Sequence, residues 1–68
     1  MNMANKLTAN EKVRRALRIY GISQWELGEE IGVSEQTIYR YLRKEMTDVE
    51  QQQMVDTIEK IARRRGMR

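Results

Sequence analysis

The tetrad Ser/Thr-x-x-Glu occurs three times in this chain, at 8–11, 23–26 and 47–50, and an apolar stripe of helical period follows each. In such a box the hydroxyl accepts from the amide three residues on, and the glutamate reaches back to the amide of the capping residue. One match is weak, because the pattern is short. Three matches, each with its stripe, divide the chain into short helices. The absence of proline and a charged fraction of 34% favour helices over a turn-rich β fold.

The first helix is predicted over 8–20, with Val13, Ala16, Leu17 and Tyr20 on one face and Gly21 closing it. The second, 23–31, buries Leu27 and Ile31 at i,i+4, and Trp25 is expected to fill a gap beside the first helix. The third, 34–43, starts on Ser34 as N-cap and buries Ile38 and Leu42, with Tyr41 as a further candidate. The fourth, 47–64, carries Met54, Val55, Ile58, Ile61 and Ala62. Core packing accounts for a stripe of that width, and the alternative is a homodimer seam through Met54 and Ile61.

With 68 residues the chain has room for one domain, 1–68, whose ends (1–6 and 65–68) are expected to be flexible. A domain this small buries only about 60% of the surface its unfolded chain exposes. Disulfides, metals or oligomerisation are the usual supports. The sequence has no Cys and no His, which removes disulfides, thiolate chemistry and nearly every structural zinc site. Helix packing or self-association must supply the rest. No run of about 18 apolar residues is present, and Met1 to Lys6 lack the apolar stretch of a signal peptide. The expectation is a cytoplasmic protein without membrane partner, metal, cofactor or small-molecule ligand. Its carboxylates are scattered over helix surfaces and form no acid/base pair, so no catalytic residue is assigned and an enzyme is not expected.

The net charge of +3 is distributed in blocks. Residues 6–18 carry five Lys/Arg against one Glu, and residues 21–38 carry Glu26, Glu29, Glu30 and Glu35 with no base. Arg40, Arg43 and Lys44 follow, then an acidic stretch over 45–59, then Lys60, Arg63, Arg64, Arg65 and Arg68. Basic blocks separated by acidic ones suit a polyanion footprint on one face, and equally suit ordinary solvated helix surfaces.

The segment from Gln24 to Arg43 carries the function. Leu27, Ile31, Val33 and Ile38 are its inward positions, and Gly28 and Gly32 have mechanical duties. Gly32 permits the positive φ of a sharp turn between helices, and Gly28 lets the third helix cross close to the second. Ser34, Glu35, Gln36, Thr37, Arg40 and Arg43 remain as an outward polar row. Ile22-Ser23-Gln24, Leu27-Gly28, Ile31-Gly32-Val33-Ser34 and Ile38 together resemble the helix-turn-helix of the lambda-type repressor and Cro family, over about residues 10–62. Members usually have a fifth helix, for which this chain has no room. Val33-Ser34 followed by Thr37 to Leu42 also resembles the DNA-binding tail of invertase and resolvase recombinases and some transposases. Those tails end soon after the recognition helix, whereas a capped, amphipathic fourth helix follows here, which favours the repressor-like reading.

The resemblance implies a small all-α, four-helix domain that binds double-stranded DNA as a homodimer and regulates transcription in a bacterium or phage. Its recognition helix would place Glu35, Gln36 and Arg40 at base edges. Gln24 would touch a phosphate and donate to Glu35. Ser34, Thr37, Tyr39, Arg43 and Lys44 would contact phosphates or support the readers, as basic residues of the first helix and of the C-terminal tail also could. A protein-interaction or antitoxin-type module is the alternative from another class.

Overall fold

In a computed structural model, which describes residues 9–66, the chain is all-helical. The helices are α1 (Glu11–Tyr20), α2 (Gln24–Ile31), α3 (Glu35–Arg43) and α4 (Asp48–Arg64). Helix α1 packs on α4, α2 on α3, and α2 also meets α4. No described helix is long and apolar enough to cross a membrane.

Local chemistry sets three of the four helix starts. The Ser23 hydroxyl accepts from the Glu26 amide at 3.0 Å while the Glu26 carboxylate accepts from the Ser23 amide at 2.9 Å. Thr47 and Glu50 repeat the box at 3.1 and 3.0 Å. Ser34 caps α3 by accepting from the Thr37 amide at 3.2 Å. The box expected at 8–11 does not form the start of α1. Thr8 lies outside the described residues, and Glu11 is the first helical residue rather than the third, with Asn10 in the N-cap position.

Asn10 has φ 59° and makes no side-chain cap bond to its own helix. Asparagine tolerates this left-handed region better than most residues. Its side chain serves another element. Helix α3 ends on Lys44 in an extended conformation, with no capping amide folded back onto its last turn. The carbonyls left over at a helix C-terminus then need outside donors. Asn10 Nδ2 donates to the Leu42 carbonyl at 3.0 Å and the Lys44 carbonyl at 2.7 Å, and Arg14 Nη2 reaches Leu42 at 2.9 Å. Asn10 Oδ1 accepts from the Met46 amide at 2.6 Å. Gln51, also buried, donates to Glu45 Oε2 and to the Met46 carbonyl, which fixes the connection between α3 and α4.

The core unites Val13, Ala16 and Leu17 of α1, Ile22, Leu27 of α2, Ile38 and Leu42 of α3, and Ile58, Ile61 and Ala62 of α4. Tyr20, Val33, Met54 and Val55 are partly buried against it. Three expectations need correction. Ile31 is 40% exposed and Tyr41 43% exposed, so neither belongs to the core. Ile31 is the last residue of α2 and, like Tyr41, opens onto a groove bordered by α3 and α4. Trp25 is 54% exposed and stands beside Glu29, Ile61 and Arg64 instead of filling a gap against α1. Of the two residues of the suggested seam, Ile61 is buried inside the chain and Met54 is half-buried against the core.

Candidate functional site

Two devices hold α3 at its N-terminal end. The chain reverses at Gly32, whose φ of 95° suits glycine, and the amides of Gly32 and Val33 both return to the Gly28 carbonyl at 2.7 and 2.9 Å. At Gly28 a Cβ would lie 2.7 Å from the Val33 carbonyl oxygen and 3.3 Å from Ile38 Cγ1. That leaves no space for a side chain where α2 and α3 cross. At the other end of α3, Asn10 and Arg14 secure the last turn.

Helix α3 therefore has one fixed side. Ile38 and Leu42 are fully buried, and Gln36, Tyr39, Arg40 and Arg43 are exposed. With about 100° between successive residues, Gln36, Arg40 and Arg43 fall together opposite the buried pair. Tyr39 stands beside them, its ring 5.9 Å from the Arg43 guanidinium. This contact spans i,i+4 and favours Arg43 lying along the ring face. Lys44 continues the exposed basic row beyond the helix.

The remaining expected site residues separate from this row. Ser34 and Thr37 are occupied with each other, their hydroxyls 3.1 Å apart and the Ser34 oxygen capping the helix. Gln24, half-buried, borders a shallow depression with Arg14, Arg18 and Ser23. Contrary to expectation, the Gln24 amide does not hydrogen-bond the Glu35 carboxylate among the described residues. Glu35 is instead the first residue of α3, where the positive end of the helix dipole favours a carboxylate.

The basic residues outside α3 are also redistributed. Arg14 donates Nε to the Ala9 carbonyl at 2.8 Å and Nη2 to Leu42, and Arg15 pairs with Glu11 at 2.9 Å. Arg64 and Lys60 both pair with Glu30, and Arg65 pairs with Glu26 at 2.7 Å. Arg64 is the last residue of α4 and Arg65 its C-cap, and their ion pairs tie α4 to α2. Residues 1–6 and Arg68 lie outside the described residues. The Glu26 carboxyl titrates below its ordinary range, chiefly because the Ser23 amide donates to it and secondarily because Arg65 is beside it.

Sequence reasoning missed Asn10 and Gln51. An asparagine ahead of a helix reads as a cap, and its true partners are more than thirty positions away. Among the described residues no cluster of acidic side chains is placed to hold a metal ion, and every buried side-chain nitrogen and oxygen has a hydrogen-bond partner. Comparison with known proteins adds no relative: no family model matches the chain, and no curated protein or solved structure is significantly similar to it.

Proposed function

We propose that this chain binds double-stranded DNA sequence-specifically through α3, as a helix-turn-helix transcriptional regulator of the repressor and Cro kind. The observation that carries the reading is the two-sidedness of α3. Its inner face is sealed by Ile38 and Leu42, while Gln36, Arg40 and Arg43 project together into solvent. An α-helix of this kind fits the major groove, where its exposed row meets base edges. Arg40 forks onto guanine O6 and N7, and Gln36 pairs with adenine N6 and N7. Arg43, steadied by Tyr39, and Lys44 take phosphates, which fix register without reading sequence.

Glu35 keeps its role at the first turn, accepting from cytosine N4 where the site offers one. The chain works as a binding module with no catalytic duty. Two copies on a pseudo-palindrome, with half-sites about 34 Å apart, supply the base pairs that one copy cannot read. The competing idea of a protein-binding acidic face is weakened by the ion pairs, which occupy Glu26 and Glu30.

The test is selection from a pool of random duplexes, with the enriched sequence retitrated at two salt concentrations. A two-fold symmetric site whose preference collapses in Arg40→Ala supports the reading. Weak, salt-sensitive binding without an enriched sequence leaves only the non-specific electrostatic attraction and sinks it.

A further inference from the structure

A groove of about 820 Å³ runs between the end of α2, the C-terminal half of α3 and the first turns of α4. Ile31, Tyr41, Met46 and Met54 give it an apolar floor. The core leaves Ile31 and Tyr41 exposed and buries Met46 and Met54 only in part. A cover over this floor takes apolar surface out of water, and the nearest apolar chain is the protein's own.

The main chain arrives at the edge of this groove just before α1. The Asn10 amide nitrogen donates to Glu45 Oε1 at 3.1 Å, and Asn10 Oδ1 accepts from the Met46 amide at 2.6 Å. Asn10 Nδ2 meets the carbonyls of Tyr41 and Lys44 at 3.5 and 2.7 Å. All four partners line the groove. Ala9, half-buried, has its carbonyl held by Arg14 Nε at 2.8 Å. The residues before Ala9 therefore start from a fixed point beside the apolar floor.

We propose that residues 1–8, which lie outside the described residues, dock in this groove as a strap across Ile31, Tyr41 and Met54. Reach, pattern and tethering each support the assignment. Eight residues span at most about 26–29 Å when extended. The molecule is 25 and 19 Å across its two shorter axes, so the strap is long enough to cross the groove.

In an extended chain side chains alternate, and residues 1, 3, 5 and 7 share one edge. That edge reads Met1, Met3, Asn5 and Leu7, while the opposite edge reads Asn2, Ala4, Lys6 and Thr8. The first edge suits the floor and the second suits water. Methionine side chains fill irregular apolar gaps well, and the floor itself holds two. Asn5 is the one polar member of the inner edge, and Gln53 and Thr57 on the groove wall offer it partners. A short tether gives such a segment an effective concentration in the millimolar range, which a free peptide of equal contact must match. A polyanion finds nothing to bind on an apolar floor.

The experiment is NMR of the isotope-labelled full chain, without DNA, at two protein concentrations. Nuclear Overhauser contacts from the Met3 and Leu7 methyls to the Ile31 methyls and the Tyr41 ring are expected, unchanged on dilution. The double variant Met3→Glu, Leu7→Glu is expected to lose them and to shift the Ile31 and Tyr41 resonances. Its Leu42 and Ile58 resonances, from the core, should stay in place and show that the fold is intact. Tyr41→Glu, altered on the groove side, is expected to release the Met3 and Leu7 methyls to the shifts of an unstructured peptide.

Unstructured-peptide shifts for residues 1–7 of the wild-type chain overturn the proposal, as do Ile31 and Tyr41 resonances that are identical in wild type and the double variant. Contacts seen between labelled and unlabelled chains in an isotope-filtered mixture give the groove to a second copy and overturn it too. So do contacts at Ile31 and Tyr41 that arise only on adding duplex. The strap is read without DNA, so its failure leaves the DNA-binding reading standing, and loss of duplex selection leaves the strap standing.

Discussion

The side-chain amide of Asn10 lies 3.0 Å from the main-chain carbonyl of Leu42 and ties the residue before α1 to the last turn of α3. The same amide serves Lys44, and its oxygen receives the Met46 amide. Removing it leaves the part-buried Lys44 carbonyl and Met46 amide without that partner, while Leu42 keeps Arg14, and each group left unpaired costs about 1–3 kcal/mol. Asn10→Ala is expected to destabilise the fold by about 2–4 kcal/mol, lowering Tm by roughly 10 °C or more. Asn10→Gly separates the two contributions, because it keeps the left-handed backbone and loses the amide. Thermal melts should place it close to Asn10→Ala, and a near-complete rescue by glycine would show that backbone conformation dominates.

Gly28 and Gly32 are both intolerant of a side chain, for opposite reasons. Gly28 lacks space, since its Cβ would meet the Val33 carbonyl at 2.7 Å. Gly32 has open space around it and an unfavourable φ of 95°. Gly28→Ala must therefore push α3 away from α2, at a cost of about 1–3 kcal/mol. Gly32→Ala pays only local backbone strain, about 1–2 kcal/mol, and Gly32→Asn should recover much of that. Denaturant titrations should rank these variants, with no recovery expected for Gly28→Asn.

What could be read from the sequence was what short-range chemistry decides. The Ser23 and Thr47 boxes, the Ser34 cap and the turn at Gly32 depend on residues within a few positions of one another, and they stand where expected. Leu27, Ile38 and Leu42 were legible from period alone. Ile31 and Tyr41 share that period and are nevertheless exposed, because both open onto a groove between α2, α3 and α4, a tertiary arrangement that period alone does not announce. The start of α1 was misplaced for a related reason. Asn10 is held by carbonyls at the far end of α3, which no local pattern announces. In the candidate site the outward row followed from the helical period, whereas the support of Arg43 by Tyr39 and the diversion of Arg64 and Arg65 to α2 are tertiary facts.

Glu26 joins two elements through one carboxylate, capping α2 and pairing with Arg65 of α4. The Ser23 amide first, and Arg65 second, hold its folded pKa below the ordinary 4.5. A carboxyl depressed by folding stabilises the fold fully above its unfolded pKa, and that contribution fades as pH falls through the folded value. Wild type should therefore melt above Glu26→Gln at neutral pH, and the two curves should converge as pH falls through and below the ordinary carboxylate range. A constant difference across that range would mean that the hydrogen-bond geometry matters and the charge does not.

Arg40 and Arg43 both project from α3, yet their proposed duties differ, and the difference is measurable. Arg40 lies at the centre of the outward row, opposite Ile38, where a guanidinium can fork onto a guanine. Arg43 is one turn further on, laid against Tyr39, and is better suited to a phosphate. Arg40→Ala is expected to cost about 1–3 kcal/mol on the selected duplex and little on a duplex changed at the contacted base pair. Arg43→Ala should weaken both duplexes alike and reduce the salt slope by about one. Binding titrations on matched and mismatched duplexes at several salt concentrations distinguish the two. If both variants lose affinity uniformly, α3 contributes only charge and the base-reading role of Arg40 must be given up.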